Sequence, residues 1–393
     1  MRIAIVILGT FPEGVGCVAY NTKLGRGFIE SGHEAECLVP YPVLSQTEKH
    51  DPVGNVRGIT YRYTCGFSRC DWKMPGFLKR ILLTCYGTFK LFKYLSEQEK
   101  IGKSFDALVV GTEWFLVIPV RWWAKRHHIP MVGEFFEYPL HLIAKQKMFD
   151  RFMTKVSYRC YDGIIAISNV LEDYYMPLMS KRCKTIVSPL LMEQTSELVS
   201  TPKGKYIAYS GDMNGIKDDI DLLLKSFFIF GARNQNVSLI LFGACSEKRL
   251  SVLKEKVREA GMEDRITFYG FATEKVFLEY MHGASLLTIP KSDNLQNRGN
   301  FPSKLGVYLA TGAPVLASDV GSLSKYFKDG EDIYLVEPDN VNAFAEKLEY
   351  IFAHEEEAKA VGKKGKENGY RMFSCKYQAG RIADFMSELK GNI

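Results

Sequence analysis

Short apolar runs rich in β-branched residues alternate with longer amphipathic stretches along the chain. The runs have the length of buried β-strands, and the stretches repeat apolar residues at helical spacing. This alternation predicts an α/β protein with parallel sheets wrapped by helices on both faces. The predicted strands are residues 3–8, 35–39, 59–63, 107–111, 131–133, 163–167, 185–187, 206–210, 238–243, 266–268, 285–289, 315–317 and 333–336, and the predicted helices are 20–31, 77–95, 220–230, 246–260, 275–281, 304–311, 341–354 and 374–389.

The number of predicted strands divides the chain into two units. These strands exceed what one ordinary sheet holds, and 393 residues exceed the ~100–200 residues of a usual domain. We therefore expect doubly wound domains at residues 1–190 and 206–373, joined by a proline-containing linker at 191–205. A helix at 374–393 is expected to pack back toward the N-terminal domain. Ligands are expected in a central cleft, at the carboxyl ends of the strands.

Composition excludes several classes of protein. Hydrophobic residues make up 46% of the chain and charged residues 24%, so the chain can build large cores and is not disordered as a whole. No apolar run approaches ~18 residues, so no membrane-spanning helix is expected. Cys65 and Cys70 are the only close pair among nine cysteines, with no further zinc ligands nearby, which favours reduced thiols in a cytosolic protein.

Charge is unevenly divided along the chain. Residues 1–190 contain 25 Lys and Arg against 17 Asp and Glu, whereas the remaining residues contain 26 against 28. The basic excess indicates an anionic partner or surface, or only solubility. The predicted helix 77–95 interleaves lysines and an arginine with large apolar residues, as on an anionic membrane surface. A helix packed on the first sheet, with its lysines reaching water, is the favoured alternative, because the fold needs a helix there.

Three loops after predicted strands carry features of anion binding. Gly14 and Gly16 suit backbone amides that approach a phosphate or acceptor, although a tight turn explains them equally well. Lys217 follows the strand at 206–210 and is placed to neutralise a diphosphate. Ser303 precedes a short helix that stops at Gly312, and the free amides at its start suit an anion.

The blocks that contain these loops resemble glycosyltransferase family 4, and most closely its bacterial members that build polysaccharides. The block from Lys304 to Gly321 is similar to the donor-binding domain of that family, as are residues 211–224. The resemblance covers nearly the whole chain. Its other elements are Phe11-Pro12, Ser31-Gly32-His33-Glu34, residues 162–171, Asp329-Gly330 and residues 335–339.

The resemblance implies the GT-B fold, in which two Rossmann-like domains face a central cleft. It implies a retaining glycosyltransferase that moves a sugar from a nucleotide diphosphate sugar, UDP- or GDP-linked, to a glycan or lipid-linked acceptor. No metal or other cofactor is implied, because side chains and helix amides stabilise the leaving diphosphate. The implied setting is cell-surface polysaccharide synthesis in the cytoplasm, at the inner face of the cell membrane, without a nucleic acid partner.

The resemblance also implies donor-binding residues. Lys217 matches the lysine that contacts the donor diphosphate and is a predicted catalytic residue. Asp212 stands where the family has an arginine, so Lys291 or Arg298 is expected to supply the missing positive charge. The expected donor-binding set is Gly211, Lys217, Lys291, Asp293, Asn300, Ser303 and Lys304.

Two carboxylates of the family are missing. Gly299 and Val307 stand where the family has the glutamates that contact the donor sugar and its ribose, and Asn300 and Asp293 are candidates to replace them. The alternative is a catalytically degenerate homologue that only binds its ligand. A third interpretation is another GT-B activity, such as that of a phosphorylase or an epimerase.

Acceptor chemistry is predicted in the first half. Glu134 and Glu137 resemble a Glu-x-x-Glu-x-Pro element of the same relatives and are candidates for acceptor contact or general base catalysis. Glu113 is a weaker candidate. Carboxylates that cap a helix or lie on the surface explain the same residues equally well.

Overall fold

The computed structural model describes all residues except 13, 15, 46–47, 140–141, 143–146, 195–201, 203, 216 and 392–393. It divides into two compact units. The first contains Met1–Leu191 and Phe373–Ile393, and the second contains Met192–Met372. The predicted linker therefore begins at this boundary, although much of it lies outside the described residues.

The first unit is built on a sheet of eight strands in the order β3-β4-β2-β1-β5-β6-β7-β8. All neighbouring strands are parallel except β3 and β4, which are antiparallel. Among the central strands, β5 and β6 are fully buried and β1 is buried from Ile3 onward, as their continuous apolar sequences predict. The strands are β1 Arg2–Val6, β2 Glu34–Val39, β3 Val53–Val56, β4 Ile59–Tyr63, β5 Ala107–Val110, β6 Met131–Phe135, β7 Gly163–Ala166 and β8 Lys184–Val187.

Helices of the first unit include one from the far end of the sequence. The last helix, Cys375–Lys390, packs on the first helix, Cys17–Glu30, and a Cβ at Gly27 would overlap the carbonyl group of Cys375. The Ser31 hydroxyl lies 2.8 Å from the carbonyl oxygen of Lys376. The other helices among the described residues of this unit are Gly76–Lys100, Trp114–Arg126, Met148–Tyr158 and Asn169–Tyr175, followed by a 3₁₀ turn at Met176–Leu178.

The helix Gly76–Lys100 has two different faces. Leu83, Gly87, Leu91 and Leu95 are buried at four-residue spacing, so this face packs as the favoured interpretation predicts. The residues on its other side include exposed aromatic and aliphatic side chains. In the described part of the chain, no helix is long and apolar enough to cross a membrane.

The second unit has six parallel strands in the order β11-β10-β9-β12-β13-β14. The chain runs outward from β9 to β11 on one side and then returns to build β12 to β14 on the other. The edge beside β9 is therefore a topological switch point, where α/β sheets bind ligands. The strands are β9 Lys205–Ser210, β10 Val237–Phe242, β11 Ile266–Gly270, β12 Leu286–Ile289, β13 Val315–Ser318 and β14 Tyr334–Val336, and the helices are Ile220–Arg233, Glu247–Glu259, Glu274–Gly283, Leu295–Gly299, Lys304–Thr311, Leu323–Tyr326, Val341–Ala353 and Glu355–Phe373.

Candidate functional site

A buried carboxylate at the switch point of the second sheet holds two lysines. Asp218 Oδ2 lies 2.5 Å from Lys304 Nζ, and Asp218 Oδ1 lies 3.5 Å from Lys291 Nζ. The Tyr209 hydroxyl donates a hydrogen bond of 2.8 Å to Asp218 Oδ2. We call these four residues the Asp218 cluster. Because it contains two cationic groups and one carboxylate, the cluster carries a net positive charge at neutral pH.

Separate elements bring these side chains together. Tyr209 belongs to β9, Lys304 opens the helix Lys304–Thr311, and Lys291 follows β12. Lys291 Nζ also donates to Asn297 Oδ1 at 3.1 Å and to the carbonyl oxygen of Lys217 at 3.3 Å. Residues on several loops therefore fix the position of the lysine charge, which preorganises the cluster for a negatively charged ligand.

Gly211 leaves room for the cluster. Its φ angle is 157°, and a Cβ at this position would overlap Lys304 Nζ, the Tyr209 hydroxyl and Asp218 Oδ2. Any side chain here would displace at least one member of the cluster. Gly211 is a predicted donor-binding residue, and the packing around it also requires glycine at this position.

Burial and the charges within the cluster together set its protonation. Burial lowers the pKa of Lys304 to about 8 and also lowers the pKa of Lys291, although Asp218 opposes both shifts. Burial disfavours the ionised form of Asp218, but Lys304 and Lys291 outweigh it and hold the pKa of this carboxyl below its usual value. An anionic ligand would compensate the remaining positive charge.

Other predicted donor-binding residues lie around the cluster. Arg298 donates two hydrogen bonds, of 2.6 and 2.7 Å, to the carboxylate of Asp293, so these two candidates are paired with each other. Asn300 Oδ1 accepts from the backbone amide of Phe301 at 2.7 Å. Ser303 precedes the helix that Lys304 opens. Of the two residues expected to supply positive charge, Lys291 joins the cluster.

Lys217 and Asp212 take different positions from those of the cluster. Lys217 is half-buried, and its carbonyl oxygen accepts the hydrogen bond from Lys291 Nζ. Asp212 Oδ1 accepts hydrogen bonds from the backbone amide and side-chain amide of Asn214, at 3.2 and 2.5 Å. Asp212 therefore stabilises its own turn.

Asp218 is not among the site residues predicted from the sequence. It stands between Lys217 and Asp219, and Asp219 caps the helix Ile220–Arg233 by accepting from the amide of Leu222 at 2.9 Å. A single cap needs only one acidic residue. The second aspartate was the available signal, but the sequence does not reveal that two distant lysines reach it.

The first unit contains an open cavity of about 1130 Å³. Residues after β1, β5 and β6 line it, at the carboxyl ends of three neighbouring strands. Glu113, Glu134 and Glu137 all line this cavity. The structure thus brings the three predicted acceptor carboxylates to one place.

Glu134 is buried in β6, which extends beyond the predicted strand end at residue 133. For Glu134, the alternative of a helix cap or a surface carboxylate is therefore wrong. Asn21 Nδ2 donates to Glu134 Oε2 at 2.9 Å, whereas Oε1 has no hydrogen-bond partner among the described residues. Burial raises the pKa of Glu134 to about 7, and burial also raises the pKa of Glu113.

The first glycine loop adjoins the same cavity. Gly16 has a φ angle of 62° and precedes the helix that begins at Cys17, a residue that lines the cavity. A Cβ at Gly14 would lie 2.8 Å from the Cβ of Val18. Both glycines therefore serve a tight turn, and phosphate or acceptor binding by this loop stays a prediction.

Part of the chain matches a known protein family. Residues 193–368 match the family model of Glycosyl transferases group 1. The D-inositol 3-phosphate glycosyltransferase of Arthrobacter sp. (strain FB24) is 23% identical over 175 residues, which cover 43% of this chain and 39% of that protein. The chain thus aligns with less than half the length of this curated relative.

Solved structures match the chain over almost its whole length. Sucrose-phosphate synthase from Thermosynechococcus elongatus superposes with a TM-score of 0.68 at 17% identity, covering 100% of both chains. Anabaena HepE in complex with UDP and glucose superposes with a TM-score of 0.67 at 12% identity, covering 98% of this chain and 99% of HepE. The chain has the GT-B fold. This confirms the fold class expected from the sequence, and the Asp218 cluster lies within the GT-B unit that matches the group 1 model.

Proposed function

We propose that this protein is a retaining glycosyltransferase that takes a sugar from a nucleotide diphosphate sugar and attaches it to an acceptor hydroxyl. The observation that carries the proposal is the Asp218 cluster, a buried net positive charge at the switch point of the group 1 unit. The second unit binds the donor, and the first unit binds the acceptor in the cavity that contains Glu134.

In this proposal the donor diphosphate lies against Lys304 and Lys291. Both lysines are fixed before the donor arrives, so they stabilise the charge that develops on the leaving diphosphate without rearrangement. Their positive charge replaces that of the arginine that the relatives have at the position of Asp212. The donor is a UDP- or GDP-sugar, and the UDP bound to HepE supports UDP as the first nucleotide to test.

The acceptor is held by carboxylates in the first unit. Glu134 lines the cavity, and its buried Oε1 is an acceptor atom without a partner in the described part of the chain, which suits a sugar hydroxyl. The leaving diphosphate oxygen takes the proton of the acceptor hydroxyl, so no covalent nucleophile is needed. The resemblance to bacterial relatives supports a role in cell-surface polysaccharide synthesis, in the cytoplasm at the inner face of the cell membrane.

Titration with UDP, GDP and their sugars tests the donor site. We expect Lys304→Gln to weaken nucleotide binding about 10- to 100-fold, the loss expected for a hydrogen bond to a charged group. Lys254→Gln changes an exposed lysine of the same unit and should bind like the wild type. Isothermal calorimetry measures the affinities, and equal affinities of the two variants would contradict the proposed site.

A binding protein without catalysis is the second candidate, because Gly299 and Val307 lack the carboxylates of the relatives. Donor hydrolysis and sugar transfer, followed with radiolabelled donors, separate the two functions. Turnover that disappears in Lys304→Gln supports the enzyme. Tight binding of a donor without any turnover, across a panel of acceptors, would favour the binding protein.

A further inference from the structure

Two helices beside the acceptor cavity expose large apolar side chains. Phe77 is 79% exposed, and Met148, Phe149 and Phe152 are 87%, 62% and 62% exposed. Phe77 and Phe149 also line the cavity, together with Ile81. We call these five residues the apolar rim. Burying one such side chain is worth about 1.5–3 kcal/mol, so this exposure is costly unless something covers the rim.

A third helix joins the two parts of the rim. Trp114, at the start of the helix Trp114–Arg126, contacts Phe149 with ring centroids 5.7 Å apart, and its indole nitrogen donates to Asp150 Oδ1 at 3.3 Å. On the other side, the Arg80 guanidinium lies 5.8 Å from the ring centroid of Phe115. The rim is therefore one surface around the cavity.

The segments that carry the apolar rim are rich in basic residues. The sequence from Trp72 to Ser96 contains no acidic residue, and the sequence from Lys147 to Arg159 contains Asp150 as its one acid, which Trp114 binds. Exposed apolar groups among cationic side chains suit a bilayer of anionic lipids, which supplies hydrocarbon and negative charge together. The basic residues are Lys73, Lys79, Arg80, Lys90 and Lys93 on one side and Lys147, Arg151, Lys155 and Arg159 on the other.

Three kinds of group line the cavity, and together they match a lipid-anchored sugar phosphate. Phe77 and Phe149 lie at the exposed rim, Arg80 and Lys147 line the cavity, and Glu134 is buried in its wall. A hydrocarbon chain, a phosphate and a sugar need an apolar, a cationic and a hydrogen-bonding environment, respectively. A free, water-soluble glycan would leave the apolar rim uncovered.

We infer that the apolar rim lies on an anionic bilayer and that the acceptor is a sugar phosphate anchored in that bilayer by a lipid. The rim inserts its aromatic side chains among the headgroups, and Arg80 and Lys147 bind the phosphate. The sugar then extends to Glu134. The acceptor class rests on the proposed function, whereas contact between the rim and the bilayer does not.

Vesicle sedimentation tests the bilayer contact. The full-length protein should bind vesicles that contain phosphatidylglycerol at least tenfold more tightly than vesicles of phosphatidylcholine alone, and salt should weaken the binding. Phe149→Ser with Phe152→Ser should reduce binding at least tenfold. Phe271→Ser, at a residue 84% exposed in the second unit, is the matched control and should bind like the wild type.

Three outcomes would overturn the bilayer contact. In the first, the wild type fails to bind phosphatidylglycerol vesicles. In the second, the double variant binds these vesicles as well as the wild type does. In the third, the rim serves self-association instead of bilayer contact. In the last case, light scattering shows a wild-type oligomer that the double variant loses. Unchanged UDP affinity of the double variant shows that its second unit is intact, and an unchanged thermal transition does the same for the first.

Vesicles doped with a polyprenyl phosphate test the acceptor class. The lipid phosphate should tighten binding of the wild type, and Arg80→Gln with Lys147→Gln should abolish that gain without changing UDP affinity. Equal binding of both proteins to doped and plain vesicles would contradict the phosphate site. Failure of the proposed function appears differently, as the absence of nucleotide binding or sugar transfer while vesicle binding persists.

Discussion

Buried lysines are rare because desolvation disfavours their charge, yet the second unit buries Lys291 and leaves only 15% of the Lys304 side chain exposed, both against one carboxylate. Asp218 makes this arrangement tolerable, and Gly211 provides the space for it. At the scale of single residues the sequence predicted Lys291, Lys304 and Gly211 as parts of one site. It could not predict Asp218, because the link depends on contacts between residues more than seventy positions apart.

The lowered pKa of Lys304 predicts how nucleotide binding depends on pH. Lys304 is charged below its pKa of about 8 and becomes neutral above it, so UDP affinity should fall as pH rises from 7 to 9. The phosphates of UDP stay ionised over this range, because their second pKa is near ~6. Calorimetry across this range should show a flattened profile for Lys304→Gln. A wild-type affinity that stays constant to pH 9 would contradict this role for Lys304.

Glu134 should make stability depend on pH in the opposite way to an ordinary carboxylate. Its pKa rises from 4.5 to about 7 on folding, so the folded protein holds a proton between these values that the unfolded chain has lost. Stability therefore falls as pH rises through this window. Glu134→Gln should be more stable than the wild type at pH 8, by roughly 3 kcal/mol at most, and nearly equal at pH 4.5.

Urea denaturation at the two pH values measures this difference. The control is Glu263→Gln, at an exposed glutamate, which should match the wild type at both. A Glu134→Gln variant that is less stable than the wild type at pH 8 would contradict this prediction. It would show that groups around Glu134 stabilise its ionised carboxylate in the folded protein.

At the scale of elements, the sequence predicted the buried strands but missed several helices, including Trp114–Arg126, whose Leu116 and Val120 are buried. Buried strands such as β5 and β6 are continuous apolar runs and were found. The edge strand β3, Val53–Val56, was missed because its half-exposed sequence contains Gly54 and Asn55, which disfavour strands. The helix Met148–Tyr158 was missed because its apolar residues include the exposed rim, so they do not mark a core-facing side.

The contact between the first and last helices predicts opposite effects for two glycines. Gly27→Ala places a Cβ against the carbonyl group of Cys375, and the overlap should cost about 1–3 kcal/mol of stability. At Gly380 the nearest atom to an added Cβ is 3.7 Å away, so Gly380→Ala should stabilise its helix by up to about 1 kcal/mol. Urea denaturation measures both. Equal effects would mean that the helices adjust freely at Gly27.

At the scale of the whole molecule, the uneven charge acquires a structural counterpart. The first unit holds the basic excess, and part of that charge lies in the segments that carry the apolar rim. The second unit has a nearly balanced charge, and two of its lysines are held against one carboxylate in the Asp218 cluster. Counting residues revealed the first feature but not the second, because a residue count does not show which lysines lie together around one carboxylate.

The discontinuous first unit has a consequence for synthesis on the ribosome. Translation begins with this unit, but its sheet receives the helix Cys375–Lys390 only after the whole second unit has been made. Ile382 and Met386 of that helix share one core with Phe28, so a nascent chain shows this apolar face until the helix arrives. A chain released before that point exposes it permanently to chaperones and proteases. Recognition by chaperones and proteases therefore depends on whether translation has reached the helix Cys375–Lys390.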